Sequence, residues 1–340
     1  MRRMTKAMMA GALAVGLSGL AGPASFAQSE KVKIGFYPGA VISSMLYVAE
    51  AKGHFKEAGL DATLQPVQNG PLMNSQMGSG AIDYGVQPPS NVGLAAERGL
   101  DQVFVVGNIA MPWVLIGRPD LKLPNKGKYP DVIRDLKGLN WGVYGRGSDG
   151  EIFMRAMAGD AKLDLEKDMT WIGVGGPPTG LPALKAKQID VYLTLDPAPA
   201  VAAKGGYGQI IVDLSKGQGP NNFKGIIYNG FVTLRKTAES RPAATAGIAK
   251  AFEKSYCWMR DPKNFKELLG LIKTKIPLGE LNDAEFEAMV RANIPTFTLA
   301  IPAEHFKTWN DMLLKSKVLK APVDPAKVIW KTVPKEQPKC

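Results

Sequence analysis

The sequence predicts an α/β protein of two similar lobes, and three observations carry that expectation. Short apolar runs alternate with short helical stretches, a pattern that builds a mostly parallel sheet. The stretch from Ile82 to Gly99 aligns without gaps on that from Ile189 to Gly206. Each copy has an Ile-Asp entry, an apolar strand, a Pro-containing turn, an Ala-rich helix and a closing Gly. Between the copies, Arg118 to Pro130 is rich in Pro, Gly and Lys and marks a crossover loop. At 340 residues the chain is long enough for two cores.

Taken in order, Lys31 to Phe36 reads as a strand, and Ser43-Ser44 can cap a helix over Met45 to Lys52. Strands follow at Asp61 to Val67, Ala81 to Val86 and Gln102 to Ile109, with helices over Leu72 to Met77 and Val92 to Arg98, and after Trp113 to Ile116 the texture changes. The second unit opens at Asp135, with strands at Leu139 to Tyr144, Met169 to Val174, Asp190 to Leu195 and Gln209 to Asp213. One more strand, Gly230 to Leu234, precedes a helical part: Ala243 to Met259, Asn264 to Lys273, Asn282 to Ala292 and Pro302 to Ser316. Apolar residues recur there at helical spacing and read as packing faces. The polar tail, 333–340, is expected to be frayed and disordered.

The N-terminus carries Arg2, Arg3 and Lys6, then an apolar run from Ala7 to Leu20 too short to span a bilayer, then Ala24-Ser25-Phe26-Ala27. That is the pattern of a secretory signal peptide, residues 1–27, cut after Ala27. No Cys follows it, so a lipoprotein is not expected. A periplasmic location is. Removing the segment lowers the net charge from +11 to +8, spread over surface lysines without an aromatic-interleaved basic stripe. This excludes nucleic acid as a partner and leaves solubility or steering of anions. Cys257, inside a helical pattern, reads as a buried structural thiol, and Cys340 has no assigned partner; an oxidising compartment permits a disulfide.

The richest stretch is Asp135 to Phe153, where Gly145-Arg146-Gly147-Ser148-Asp149 joins a buried strand to a helix starting near Gly150. Free backbone N–H groups and the helix dipole make such a turn a site for an anion or a polar oxygen. It spells G-x-G-x-x-G, yet the next strand ends in Gly175-Gly176-Pro177-Pro178 with no carboxylate for a ribose, which argues against a dinucleotide. His54 and His305 neighbour no Ser, Cys or acid in a recognisable constellation, so triad and zinc chemistry are not expected. Neither a catalytic role nor a cofactor or metal is expected.

Three stretches together, Phe36 to Asp61, Ile82 to Gly99 and Asp135 to Phe153, resemble the nitrate/sulfonate/taurine-type periplasmic solute-binding proteins of ABC importers. Relatives of that family include binders of the pyrimidine precursor of thiamine. The resemblance implies a type II clamshell with mixed, mostly parallel sheets and two crossovers, closing over a small ligand. It places one lobe at 28–116 and 229–332, the other at 117–228, with hinges near Ile116 and Tyr228. It implies a monomer without direct membrane insertion, partnered by a small-molecule ligand and an inner-membrane ABC permease.

Ligand residues are then expected in the loops after the strands: Tyr37, Ser44, Gln87, Ser90, Asn91, Trp113, Arg146, Gly147, Ser148, Thr179 and Asp196. Arg146 offers a fork that fits a carboxylate or sulfonate, or else pairs with Asp149 in solvent. Ser148 offers a hydroxyl at the helix start, Tyr37 and Trp113 offer walls, and Asp196 receives a ligand N–H or serves as a turn residue. Arg146 points to a small organic anion: a sulfonate, a taurine-like zwitterion or an aromatic carboxylate. A thiamine-pyrimidine precursor or nitrate is the alternative, and a pyrimidine-synthase-like enzyme a more distant one.

Overall fold

The computed structural model describes residues 29–340, so the expected signal segment lies outside the described residues. Ten strands form two five-stranded mixed sheets. The first contains β1 (Glu30–Phe36), β2 (Leu60–Pro66), β3 (Tyr84–Gln87), β4 (Gln102–Ala110) and β10 (Ile227–Leu234), ordered β2-β1-β3-β10-β4. The second contains β5 (Val114–Gly117), β6 (Asn140–Val143), β7 (Thr170–Gly173), β8 (Val191–Thr194) and β9 (Gln209–Asp213), ordered β7-β6-β8-β5-β9. In each sheet three parallel strands meet one antiparallel strand arriving from the other lobe's side of the chain, β10 in the first and β5 in the second.

The internal repeat has a structural counterpart. β3 and β8 hold the same place in their sheets, and the Asp of each Ile-Asp entry does the same job. Asp83 Oδ2 accepts from the backbone N–H of Lys33, and Asp190 Oδ2 from that of Asn140, each at 2.8 Å. These carboxylates pin the third strand to the first at its entry, and each also meets an Arg, Arg241 and Arg118 respectively.

Helix starts follow the punctuation. Proline opens the helices Gly70–Gly78, Pro89–Ala96, Pro177–Lys185, Ala198–Lys204 and Pro242–Arg260, where its missing N–H costs nothing. Asn69 caps the first of these through Leu72 N–H at 3.0 Å, and Asn282 with Glu285 forms a capping box for Asp283–Asn293. Among the described residues no helix is long and apolar enough to cross a membrane.

Three expectations are corrected. β5 belongs to the second sheet, so the chain passes between sheets at 111–113 and not near Ile116; it returns over 214–226, and Tyr228 already lies in β10. The 118–130 loop is not a crossover between the sheets, since β5 before it and β6 after it belong to the same sheet. It packs on the outside of the second sheet's helices, through Asn125 to Asp135 and the Tyr129 hydroxyl to Asp160 Oδ2 at 2.6 Å.

The tail is the third. Trp330 N–H donates to Phe104 O, Thr332 Oγ1 to Val105 O, and Gln337 Oε1 accepts from Leu299 N–H. Cys340 is disulfide-bonded to Cys257 across a sequence separation of 83, so Cys257 is not a free thiol. Closing a loop of that length restrains the unfolded chain. Replacing both cysteines with Ser is expected to lower unfolding stability by about 2–4 kcal/mol in urea titration while leaving solute affinity unchanged, because neither cysteine lines the cavity between the sheets.

Candidate functional site

A cavity of about 400 Å³ lies between the two sheets at the carboxyl ends of their strands. Its first-sheet walls come from the turn after β1 (Tyr37, Pro38, Ala40, Ile42), the turn after β2 (Val67 to Gly70) and Tyr228 of β10. Its second-sheet walls come from Tyr144, Ser148 and Asp149 after β6, Val174, Gly175, Gly176, Pro178 and Thr179 after β7, and Leu195 after β8. Trp113, in the passage between sheets, closes the back. The lobes approach closely at Gly39, which has φ +71° and where a Cβ would lie 2.9 Å from Pro178 Cγ across the cleft. A side chain there would be strained and would prop the lobes apart.

Four aromatic rings dominate this space: Tyr37, Trp113, Tyr144 and Tyr228. Trp113 meets Tyr144 and Tyr228 edge-on, at centroid distances of 5.2 and 5.7 Å. Its Nε1–H and the Ser148 hydroxyl are buried and have no hydrogen-bond partner among the described residues. Ser148 makes no side-chain cap bond to its own helix. Both groups are therefore unspent polar contacts in a largely apolar slot.

Among the described residues the one charged wall residue is Asp149, 6% exposed, at the first turn of the helix Asp149–Asp160. It reaches from the second sheet's side into a buried polar network on the first. Ser90 donates its hydroxyl to Oδ1; Asn91 Nδ2 and the Tyr228 hydroxyl donate to Oδ2 at 3.3 and 3.2 Å. Behind it, Gln87 holds Asn74 Oδ1 at 2.6 Å and Gly70 O at 3.1 Å, and receives Asn91 Nδ2 at 3.0 Å. A carboxylate has room for about four donors, so three leave acceptor capacity toward the cavity. Burial pushes the Asp149 carboxyl up to about 6, only partly offset by the Ser90 and Tyr228 hydrogen bonds. Burial, with the Asp149 charge beside them, also holds the Tyr37 and Tyr228 hydroxyls well above the usual phenol range. Among the described residues no Lys, Arg or His lines the cavity.

The expected residues thus divide. Tyr37, Trp113, Ser148 and Thr179 line the cavity, although the Thr179 hydroxyl is taken by Val174 O at 2.5 Å. Gln87, Ser90 and Asn91 are not in the cavity lining: Ser90 and Asn91 donate to Asp149, and Gln87 accepts from Asn91 behind them, a supporting arrangement. Ser44 sits buried in its helix away from the cavity; Ser43 instead binds Tyr37 O. Asp196 faces a second, separate cavity.

Arg146 and Gly147 line a groove on the far side of this layer. Arg146 is paired with Glu151 and not with Asp149: its Nε donates to Glu151 Oε2 at 3.1 Å, and Glu151 also receives Gly147 N–H and Arg155 Nε. Replacing Arg146 with Ala is accordingly expected to change solute affinity by less than about 0.5 kcal/mol by isothermal titration. A tenfold loss would return Arg146 to the site. Missed by the sequence reading were Asp149 as a wall residue, Tyr144 and Tyr228.

The two histidines are occupied elsewhere, His54 Nδ1 at 2.9 Å from Ser255 Oγ and His305 Nδ1 accepting from Ile227 N–H. What the site can do is receive a flat, apolar body and offer its N–H groups a carboxylate.

Residues 42–264 match the family described as NMT1/THI5 like. A Brucella abortus protein named as a binding protein is 27% identical over 166 residues, which cover 49% of this chain and 48% of that one. The chain thus spans about half the length of the curated relatives it matches. Among solved structures, one from Bordetella bronchiseptica is 21% identical with a TM-score of 0.73, covering 89% of this chain and 95% of the other. The alkanesulfonate-binding protein of Xanthomonas axonopodis pv. citri is 16% identical with a TM-score of 0.69, over 89% and 99%. The periplasmic nitrate-binding protein of Synechocystis is 13% identical with a TM-score of 0.61, over 76% and 70%. The fold is that of periplasmic solute-binding proteins.

Proposed function

We propose, for a chain that belongs to the NMT1/THI5-like family, that the cleft captures a small, flat aromatic solute carrying N–H donors or positive charge, and that the protein delivers it from the periplasm to an ABC permease. One observation supports this solute class above all: a buried carboxylate, Asp149, stands in an aromatic cavity whose walls hold no cation among the described residues. An organic anion, the solute expected from Arg146, would meet that carboxylate without a compensating charge, and burying unpaired charge is strongly unfavourable. An amino-substituted heterocycle or an amidine would lie among Tyr37, Trp113, Tyr144 and Tyr228 and donate to Asp149, with Ser148 as a further partner. The thiamine-pyrimidine alternative belongs to this class; sulfonate, taurine and nitrate do not.

Closure is a hinge motion through the passages at 111–113 and 214–226. The roles of Tyr37, Trp113, Ser148 and Asp149 as solute contacts are part of the proposal. A thermal-shift panel with benzamidine, 4-aminopyrimidine, benzoate, taurine and nitrate tests it. The first two are expected to raise the unfolding temperature. Strongest stabilisation by taurine, benzoate or nitrate would overturn the solute class.

A further inference from the structure

We infer that Asp196 is a positioning residue that latches the two lobes together, bound to the opposite lobe at both its backbone and its side chain. The Asp196 carbonyl, just past β8, accepts from Val41 N–H of the first lobe at 3.1 Å. Its Oδ2 accepts from Asn293 Nδ2 at 2.8 Å. Asn293 ends the helix Asp283–Asn293, and the chain then runs through 294–296 to Phe297, which bridges Ile109 of β4. It therefore stands on the first sheet's side.

The neighbours of these latch groups touch the solute cavity although the latch groups themselves do not. Ala40 and Ile42, flanking Val41, line it, and so does Leu195, next to Asp196. The Asp196 and Asn293 side chains instead face a second cavity of about 310 Å³, walled in part by Met111, Pro112 and Ser215 of the inter-lobe passages and by the adjoining Val114 and Asp213. A solute seated against Ala40, Ile42 and Leu195 therefore holds the Val41–Asp196 bond in register, and the latch in turn holds those walls around the solute. Lobe opening separates Asp196 from both partners at once. The inference rests on the cavity being the binding cleft, and its test needs no solute.

Hydrogen exchange of the ligand-free full chain tests it independently of any solute. Asp196→Ala removes the carboxylate and leaves the backbone carbonyl. It is expected to speed exchange of the Val41 amide about tenfold or more, as loss of a part-buried hydrogen bond across the lobes implies, while Val105 in β4 and Leu193 in β8 keep their rates. Asp196→Asn, which retains a side-chain oxygen, should stay within about threefold of the parent at Val41. Asn293→Ala removes the donor from the other lobe and should reproduce Asp196→Ala, including where that variant fails to fold. An unchanged Val41 rate in the Ala variants, an equal rise at Val105 or Leu193, or an Asn variant that exchanges like the Ala variant would each overturn the latch.

Discussion

Replacing Asp149 with Asn is expected to weaken benzamidine binding by about 2 kcal/mol or more, some thirtyfold, while making the ligand-free protein more stable at pH 7. The two effects have opposite signs because they share one cause. Burial raises the folded-state carboxyl to about 6, above the ordinary value of 3.8 that it regains on unfolding. At neutral pH the ionised group therefore costs the folded state about 3 kcal/mol, an upper estimate from a shift of about two units. For a raised carboxyl this penalty is fully present above pH 6 and is relieved as pH falls from about 6 towards 4. A cationic probe behaves in the opposite way: its affinity holds above pH 6 and falls about tenfold per unit below it, as the acceptor is protonated. Urea denaturation of the apoprotein and titration with benzamidine, both run from pH 5 to 8, should show these opposed slopes in the parent and neither in Asp149→Asn. Parallel slopes would mean that Asp149 only staples the lobes together through Ser90, Asn91 and Tyr228.

Trp113→Ala is expected to cost about 3–5 kcal/mol of stability and to abolish measurable probe binding. The ring is 3% exposed and packs edge-on against both Tyr144 and Tyr228. Its backbone carbonyl accepts from Leu214 N–H at 3.0 Å, tying the first inter-lobe passage to the start of the second. Removing the indole takes away the back wall of the cavity and the packing at the hinge together, so cavity cost and lost transfer energy both apply. Trp113→Phe should recover most of the stability but less of the affinity, since the smaller ring leaves a gap and has no N–H. A stability loss below about 1 kcal/mol for Trp113→Ala would contradict the close packing described here.

Much of the fold could be read in the sequence because its signals are local. Gly and Pro mark nearly every turn, β-branched runs mark the strands, and the 82–99 and 189–206 copies disclose that two units share one plan. The Asp83 and Asp190 carboxylates, pinned to equivalent strands, show that this likeness is structural and not just shared punctuation. The strand that each lobe lends to the other was not legible. Whether Val114–Gly117 pairs with β4 or with β8 and β9 depends on the path of three residues, and short apolar strands fit either sheet.

The site was legible in its loops and misread in its charges. Arg146 and Asp149 stand three apart and suggest a pair. Yet Ser148 and Glu151 spell the S-x-x-E of a capping box, which turns a Glu back toward the helix start. Glu151 does turn back, meets Gly147 N–H and takes Arg146 away from the cleft, and the i,i+4 pair with Arg155 reinforces it. Asp149 is left to face inward. Tyr228 was hidden for a different reason: it sits within a buried strand, and only the meeting of two lobes turns its hydroxyl into part of a binding wall.

The most direct measurement compares benzamidine with benzoate by isothermal titration at pH 7.5. The two share a flat ring and differ in the sign of the charge it carries. Benzamidine is expected to bind in a one-to-one complex and benzoate not to bind measurably, with the preference collapsing in Asp149→Asn. Tighter binding of benzoate would contradict a cleft built around a buried carboxylate.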